Sequence, residues 1–217
     1  MFKPQMSEII QTKTGTFITD EVEFNQHPPP STLLKAMESR WAFELINNGS
    51  LRLNSIFFYH NLESKDLGDM NEGRGMLRMN GHEMDIGTIN DVYIWCSALP
   101  NTSKETLLSL DKNYDCIITI NDTLQFVKRI SLALEKRDLI MHPHIGSVIY
   151  NRGDEVSKES LSSQQFNYNI FQKVDDYSHQ KEFRVSFINV TTNKLGVEPI
   201  DIEIGNCKEL VTIERTK

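Results

Sequence analysis

The chain has 217 residues, a formal net charge of −7 at pH 7, 39% hydrophobic residues and 24% charged residues. This composition excludes general disorder, and no linker-like stretch divides the chain, so we expect a single domain over residues 1–217 with residues 1–13 as a flexible lead. The acidic balance argues against nonspecific binding to nucleic acid, because counterion release requires a basic surface, but it does not exclude a nucleic-acid substrate in a local basic groove.

The cysteines and the N-terminal sequence bear on the cellular compartment. Cys96, Cys116 and Cys207 are odd in number and far apart, without a CxxC spacing, so they predict neither a disulfide framework nor a zinc knuckle. The first fifteen residues lack the apolar run of a signal peptide, and no stretch is apolar enough for a membrane span. We therefore expect a cytoplasmic protein with buried thiols and no membrane partner.

The first half of the chain is predicted to consist of short strands around one helix. The prolines at 28–30 forbid a helix until Ser31 offers an N-cap, and Asn80-Gly81 between two strand-like runs is a strong signal for a tight hairpin. The predicted elements are a strand over Thr14–Phe24, a helix over Thr32–Asn47 that stops at Asn48-Gly49, a strand over Ser50–Tyr59, a long loop or lid over His60–Gly75, and a very apolar strand over Asp91–Ala98.

The second half is predicted to be mainly strands. The elements are a strand over Tyr114–Ile120, a helix from 122 to 136 capped by Asn121-Asp122, a polar helix or loop over Ser157–Gln165, and strands over Ile145–Tyr150, from Lys181, near Lys194–Ile202 and near Glu209–Glu214. The whole is an α+β pattern with mostly antiparallel strands and two to four helices. It lacks regular βαβ alternation, a GxGxxG motif and a phosphate loop.

The strand that begins at Lys181 carries the most informative pattern. Phe183, Val185 and Phe187 share one parity, and Glu182 and Arg184 share the other together with Gln180. The polar side therefore presents an amide, a carboxylate and a guanidinium at steps of about 7 Å. A solvated strand face would show the same pattern, so the preceding turn, DDYSH with Tyr177, also counts in the interpretation.

Gln180-Lys181-Glu182 with this turn resembles the ADP-ribosyltransferase superfamily of bacterial and phage toxin type, in which a Q-x-E or E-x-E motif opens a late strand after a mobile turn. The order of the predicted elements is also similar. The resemblance implies a split sheet, NAD as substrate with no metal, and mono-ADP-ribosylation of a macromolecule, either a nucleic-acid base or a protein side chain. It also implies a toxin or phage-defence role that an inhibitory partner protein could control.

The resemblance also implies catalytic roles for residues of this strand. Glu182 would stabilise the positive charge that builds on the ribose when the nicotinamide bond breaks, and Gln180 would orient an acceptor amide or base. Because we expect position 182 to be exposed, Glu182→Gln should abolish transfer and leave the fold intact. Arg184 could meet a phosphate, or pair with Glu182 or an acid of the 60–75 loop; we favour the pairing.

Four residues are candidates for binding NAD. Arg52 on an early strand would hold the phosphates bidentately, with Arg40 and Arg74 as alternatives. Ser55 and Ser97 would supply supporting hydroxyls, and Tyr177 would contact a base or side chain. The family's aromatic-Arg-Gly signature is absent from the first predicted strand, whose aromatic residues Phe17 and Phe24 have no arginine beside them.

Three other functions remain open. The pair of histidines in His142-Pro143-His144, with His60, His82 or His179, could bind a metal. Asp66 or Asp69 with Glu63-Ser64-Lys65 has an acid-x-Lys spacing similar to that of metal-dependent nucleases. A small basic patch on the second helix could guide a nucleic-acid acceptor of the transferase; its members are Lys128, Arg129, Lys136 and Arg137. The acidic charge and the long loop would also suit a non-enzymatic interaction protein of the antitoxin, inhibitor or immunity type.

Overall fold

The computed structural model describes residues 18–19, 22–23, 29–62, 68–79, 82–87, 91–139, 141–154, 169–189 and 197–216. Within these ranges, helices and a mostly antiparallel sheet combine in one α+β architecture, as the sequence predicts. No helix among the described residues is both long and apolar enough to span a membrane.

The secondary structure comprises twelve described strands, three α-helices and three short 3₁₀ helices. The strands are β1 Ile18–Thr19, β2 Val22–Glu23, β3 Leu33–Met37, β4 Ser50–Ser55, β5 Arg74–Met79, β6 His82–Gly87, β7 Asp91–Ala98, β8 Cys116–Ile120, β9 Met141–Ser147, β10 Glu182–Asn189, β11 Ile200–Glu203 and β12 Val211–Arg215. The α-helices are α1 Ser39–Asn48, α2 Lys104–Ser109 and α3 Thr123–Glu135, and the 3₁₀ helices are Ile56–Asn61, Asn169–Phe171 and Asp175–Gln180.

Strand β7 lies at the centre of an eight-stranded sheet that forks along one of its edges. One edge of β7 pairs with the whole of β10, which in turn pairs with β9. The other edge pairs with β4 at Ile94 and Tyr93 and with β3 at Ala98. β4 leads outward to β11, whereas β3 leads to β8 and β12. Among the described strands, none pairs with Trp95, Cys96 and Ser97 on this edge, so a gap opens between β3 and β4.

The main hydrophobic core lies between this sheet and the helices α1 and α3. Phe183, Val185 and Phe187 of β10 are buried in it, which confirms the predicted apolar parity. Two smaller apolar clusters contain residues of the opposite parity, one around Leu34 and the other around Ile94. Both faces of the central strands are therefore covered.

The predicted helix over Thr32–Asn47 is wrong before Ser39, because Leu33–Met37 is strand β3. A strand covered on both faces has no regular alternation of apolar and polar residues, so its sequence is easily taken for part of a helix. Helix α1 begins at Ser39, whose backbone N–H and hydroxyl both donate to the carboxylate of Asp115, at 2.6 and 2.9 Å. A residue distant in sequence thus fixes the start of α1.

Other predicted elements are confirmed, some of them with shifted ends. β7 has the predicted bounds, α3 begins after the predicted Asp122 cap, and Met79 pairs with His82 on either side of Asn80-Gly81. Strand β4 was predicted to reach Tyr59 but ends at Ser55, because a 3₁₀ helix follows. The strand predicted to end at Tyr150 ends at Ser147. Helix α2 was not predicted. The prediction of one strand over Thr14–Phe24 is wrong, because β1 and β2 within it pair with each other in antiparallel fashion. Residues 1–13 and 157–165 lie outside the described residues.

Candidate functional site

Glu182 and Arg184 do not form the solvent-facing row that the sequence predicted. Glu182 is 5% exposed and Arg184 is 0% exposed. β10 lies between β7 and β9, and Glu72, Ile170 and Lys173 make polar contacts with the side chains of its polar face. The alternation identified the two faces of the strand correctly but gave no sign that later packing covers the polar one.

A network of four buried charges forms around these two residues. Arg184 binds Glu72 through two hydrogen bonds of 2.5 and 2.8 Å, and its Nε donates to Oε1 of Glu182 at 2.6 Å. Lys173 Nζ lies 2.8 Å from Oε2 of Glu182 and 3.8 Å from Glu72. The prediction that Arg184 pairs with Glu182 or with an acid of the 60–75 loop is confirmed, since Arg184 pairs with both.

The cations of this network keep Glu182 ionised. Burial raises the pKa of Glu182, but Arg184 and Lys173 lower it by more, so the pKa lies well below its usual range. Burial also lowers the pKa of Lys173, and the charges of Glu182 and Glu72 raise it above its ordinary value. Glu182 and Lys173 therefore remain charged and balance each other in the interior.

Glu182 lies in the wall of a cavity of about 380 Å³, which we call the Glu182 cavity. Gln180, Arg184, Lys173 and Glu72 also line it, as do Cys96 and Ser97 of β7. A cavity of this size, with an ionised carboxylate and several polar groups in its wall, falls within the volume range of small-molecule sites.

A second cavity of about 330 Å³, the Trp41 cavity, adjoins the first. It is lined by Trp41 and Leu45 of α1 and by Arg52 of β4. The two cavities share seven residues, which are Lys35, Ala36, Glu38, Asn54, Tyr59, Cys96 and Tyr114. These shared residues lie on β3, β4, β7 and the segments that follow β3, follow β4 and precede β8, so the cavities meet at the fork of the sheet.

Lys35 occupies the fork itself. Its ammonium donates to the backbone carbonyl of Cys96 at 2.5 Å and lies over the ring of Trp95, 5.1 Å from the centroid. Among the described residues, no carboxylate lies within salt-bridge distance of this ammonium. Burial lowers the pKa of Lys35, and Cys96 and Glu182 offset the decrease only in part.

Gln180 is near Glu182 but is not on the same strand. It ends the 3₁₀ helix Asp175–Gln180, and Lys181 after it has a φ of 42°, so the predicted strand row does not extend to position 180. Its Oε1 accepts a hydrogen bond of 3.4 Å from Lys173, and it lines the Glu182 cavity. The structure thus brings Gln180 and Glu182 together through a turn.

The two predicted serines differ in their position. Ser97 lines the Glu182 cavity, but its hydroxyl donates to the carbonyl of Phe183 at 2.7 Å, which joins β7 to β10. Ser55 is buried at the end of β4, where its hydroxyl accepts from the backbone N–H of Phe57 and starts the following 3₁₀ helix. Ser55 lines neither cavity.

The predicted Arg52 and Tyr177 lie outside the Glu182 cavity. Arg52 forms an exposed bidentate pair with Asp201, at 2.7 and 2.9 Å, in the wall of the Trp41 cavity. The Tyr177 hydroxyl donates to the carbonyl of Gly68, and Lys173 Nζ lies 4.9 Å from the centroid of the Tyr177 ring. Tyr177 therefore supports a cation of the network and is not in either cavity wall.

The alternative arginines and the basic patch have other contacts. Arg40 pairs with Glu38, and Arg74 is an exposed residue of β5. On the second predicted helix, Arg129 pairs with Glu209 and Arg137 donates to the carbonyl of Asp201.

Among the side chains that the structure describes, the residues proposed for a metal site do not form one; the side chains of His82 and His142 lie outside the described part. Asp69 is buried against Arg152, 2.7 Å away, whereas Asp66 and residues 63–65 lie outside the described residues. His144 is buried on β9, His179 is exposed, and His60 contacts the carbonyl of Glu72. The described part of the chain has no group of three or more His, Cys, Asp or Glu side chains placed to hold a metal ion.

Sequence reasoning missed three charged residues of the site. Glu72 was included only as part of a loop, and Lys173 and Lys35 were not considered. A lysine within an otherwise apolar strand such as Leu33–Met37 is a usable signal, because a buried ammonium requires a partner or a function. No signal of that kind marks Glu72 or Lys173, which reach Glu182 and Arg184 only through the fold.

No family model, curated protein or solved structure matches this chain.

Proposed function

We propose that this protein is a NAD-dependent mono-ADP-ribosyltransferase that modifies a macromolecule, with a role in toxicity or phage defence. The observation that carries this proposal is the position of Glu182, an ionised carboxylate in the wall of a 380 Å³ cavity at the fork of the sheet. The fork in the eight-stranded sheet supports the proposal, because the resemblance carried by Gln180-Lys181-Glu182 implies a split sheet.

We expect the carboxylate of Glu182 to have one acceptor position left for a substrate hydroxyl. A carboxylate offers about four acceptor positions. Three are filled by described donors: Arg184 Nε at 2.6 Å, Arg184 Nη2 at 3.3 Å and Lys173 Nζ at 2.8 Å. The remaining position would accept a hydroxyl of the nicotinamide ribose, while the two cations hold the carboxylate in place.

The proposed reaction breaks the bond between the ribose C1′ and the nicotinamide nitrogen. The bonding electrons leave with nicotinamide, which becomes neutral, and positive charge builds on the ribose ring. Glu182 would stabilise that charge at short range. A nucleophile of the acceptor then bonds to C1′ and loses its proton, and Gln180 in the same cavity wall would orient the acceptor.

Lys35 is better placed than Arg52 to hold the phosphates of NAD. Arg52 already has Asp201 as a bidentate partner and does not line the Glu182 cavity. Lys35 lines both cavities, and among the described residues its ammonium has no carboxylate partner within 4.0 Å. A phosphate at the fork would give this ammonium a counterion.

A non-enzymatic interaction protein is the second candidate. The observation in its favour is the charge balance around Glu182, because two carboxylates and two cations that satisfy each other can stabilise a fold without any substrate. Such a protein would neither bind nor consume NAD.

The test measures release of nicotinamide from NAD and transfer of labelled ADP-ribose to RNA, DNA and protein fractions. The variants are wild type, Glu182→Gln and Glu214→Gln, each first shown to be folded at the assay temperature by circular dichroism. We expect wild type and Glu214→Gln to label one fraction and Glu182→Gln to lose at least 100-fold in rate, about 2.7 kcal/mol. Equal transfer by wild type and Glu182→Gln would refute the role of Glu182. No NAD binding by wild type at millimolar concentration would leave the interaction protein as the better interpretation.

A further inference from the structure

Trp41 is the most unusual residue of the cavity walls. Its side chain is 53% exposed, although tryptophan is the largest apolar side chain, and it lines the cavity next to the one that contains Glu182. Nothing in the reaction proposed above requires an aromatic surface there. An open indole face in a concave wall is suited to a flat, π-bonded ligand.

The indole is held in place from one side. The guanidinium of Arg40 lies over the Trp41 ring, 4.8 Å from its centroid. Arg40 is itself fixed by Glu38, with Nε to Oε2 at 2.9 Å and Nη2 to Oε1 at 3.1 Å. Arg40 therefore covers one side of the Trp41 ring, and the exposed part of the ring that lines the cavity can contact a ligand.

The Trp41 cavity also contains hydrogen-bond acceptors and a cation. Glu38 and Asp201 line it, and each has an arginine partner that balances its charge. Their free lone pairs can accept from the amino group of a base. Lys35 lies in the wall shared with the Glu182 cavity, and Asn54 beside it has a buried Oδ1 without a hydrogen-bond partner among the described atoms.

We propose that the Trp41 cavity binds the base of a purine nucleoside diphosphate, with the base on the exposed part of the Trp41 ring and the phosphates on Lys35 at the fork. The two cavity walls offer an aromatic surface at Trp41, a cation at Lys35 and a carboxylate at Glu182. One extended ligand could contact all three in this order. A purine offers the larger stacking area, and the amino group of adenine can donate to Glu38 or Asp201, whereas uracil has no amino group. The identity of the group beyond the phosphates, a ribose at Glu182, rests on the proposed function; the nucleotide site does not.

The experiment titrates the full chain with ADP, UDP and pyrophosphate and measures binding by intrinsic tryptophan fluorescence and by calorimetry. The chain has two tryptophans, Trp41 and the buried Trp95. A base that stacks on Trp41 should quench the exposed indole, so ADP should quench wild type. Trp41→Leu should weaken ADP binding by about 5- to 100-fold and leave pyrophosphate binding unchanged.

Two further variants complete the design. Lys35→Met should weaken ADP and pyrophosphate alike, whereas Lys35→Arg should retain most of the binding of both. Leu132→Ala is the matched control, because Leu132 is an exposed apolar residue of α3 that lines neither cavity. It should bind ADP as wild type does.

The results separate this inference from the proposed function. Binding of ADP that depends on Trp41, in a protein that does not cleave NAD, would support the nucleotide site and refute the transferase. Cleavage of NAD with ADP affinity unchanged in Trp41→Leu would support the transferase and overturn the base site. No binding of ADP at millimolar concentration, or equal affinity for ADP and UDP, would also overturn it.

Discussion

Replacing Glu182 by Gln should destabilise the protein strongly, although the sequence predicted an exposed position where this change would leave the fold intact. The substitution retains the side-chain volume but removes the negative charge, and it can direct an amide NH₂ group at the ammonium of Lys173, which lies 2.8 Å from Oε2 in the wild type. Removal of one partner from a buried ion pair costs about 3–5 kcal/mol, because the remaining charge stays buried without compensation. For a chain of this length, that should lower Tm by about 6–20 °C.

The assay is thermal unfolding of four proteins: wild type, Glu182→Gln, Lys173→Met and the double variant. The double variant restores equal numbers of positive and negative charges in the network, so its loss should be smaller than the sum of the two single losses by about 0.5–3 kcal/mol. Glu214→Gln is the control, because it breaks a 2.5 Å pair with Lys104 whose side chains are 59% and 46% exposed. It should shift Tm by less than about 4 °C. A Tm for Glu182→Gln within 2 °C of wild type, or strictly additive losses, would refute a buried, coupled network.

Three further predictions concern the fold. Gly49→Ala should destabilise the protein by at least about 2 kcal/mol, because Gly49 has a φ of 71° and a Cβ there would lie 2.1 Å from the carbonyl oxygen of Gly205. Gly205→Ala is the control: its φ is 78°, but a Cβ there would meet open space, so it should cost less stability. Equal losses of stability in urea unfolding would contradict the steric argument. Asp122→Ala should cost about 1 kcal/mol by removing the 2.9 Å cap to the Gln125 N–H, and an unchanged urea midpoint would show that the cap contributes nothing. The folded state should lose stability as the pH falls below about 5, because the cations around Glu182 lower its pKa in the folded state and the unfolded chain therefore takes up the proton first. In Glu182→Gln the free energy of unfolding should depend less steeply on pH. Parallel plots of this free energy against pH for the two proteins would exclude Glu182 as a source of the pH dependence.

The sequence predicted the fold class because the strands with one buried face have a clear period. β7 was predicted with its observed bounds because it is continuously apolar, and α3 because Asp122 is a local cap. The prediction was wrong at Leu33–Met37, where both faces are covered and the period disappears. The start of α1 depends on Asp115, which is 76 residues away from Ser39, so no local rule could locate it.

The site was predicted in part, because the alternation of apolar and polar residues shows which side chains of a strand share a face. The alternation of β10 placed Glu182 and Arg184 on one face, and elementary electrostatics paired them correctly. It could not predict burial of that face, because the covering residues Glu72 and Lys173 come from irregular segments distant in sequence. The apolar strand around Lys35 could have marked this lysine as unusual, but its contact with Cys96 beside the site depends on the pairing of distant strands.

The central claim is that the carboxylate of Glu182 contacts the ribose of a bound nucleotide. The most direct measurement is a crystal structure of Glu182→Asp soaked with NAD, since the retained charge keeps the network balanced and the shortened side chain slows turnover. We predict electron density for the nicotinamide ribose in the Glu182 cavity, with a hydroxyl hydrogen-bonded to the carboxylate at position 182 and phosphates beside Lys35. Saturating NAD that leaves this cavity without density, or binds with its ribose elsewhere, would contradict the account.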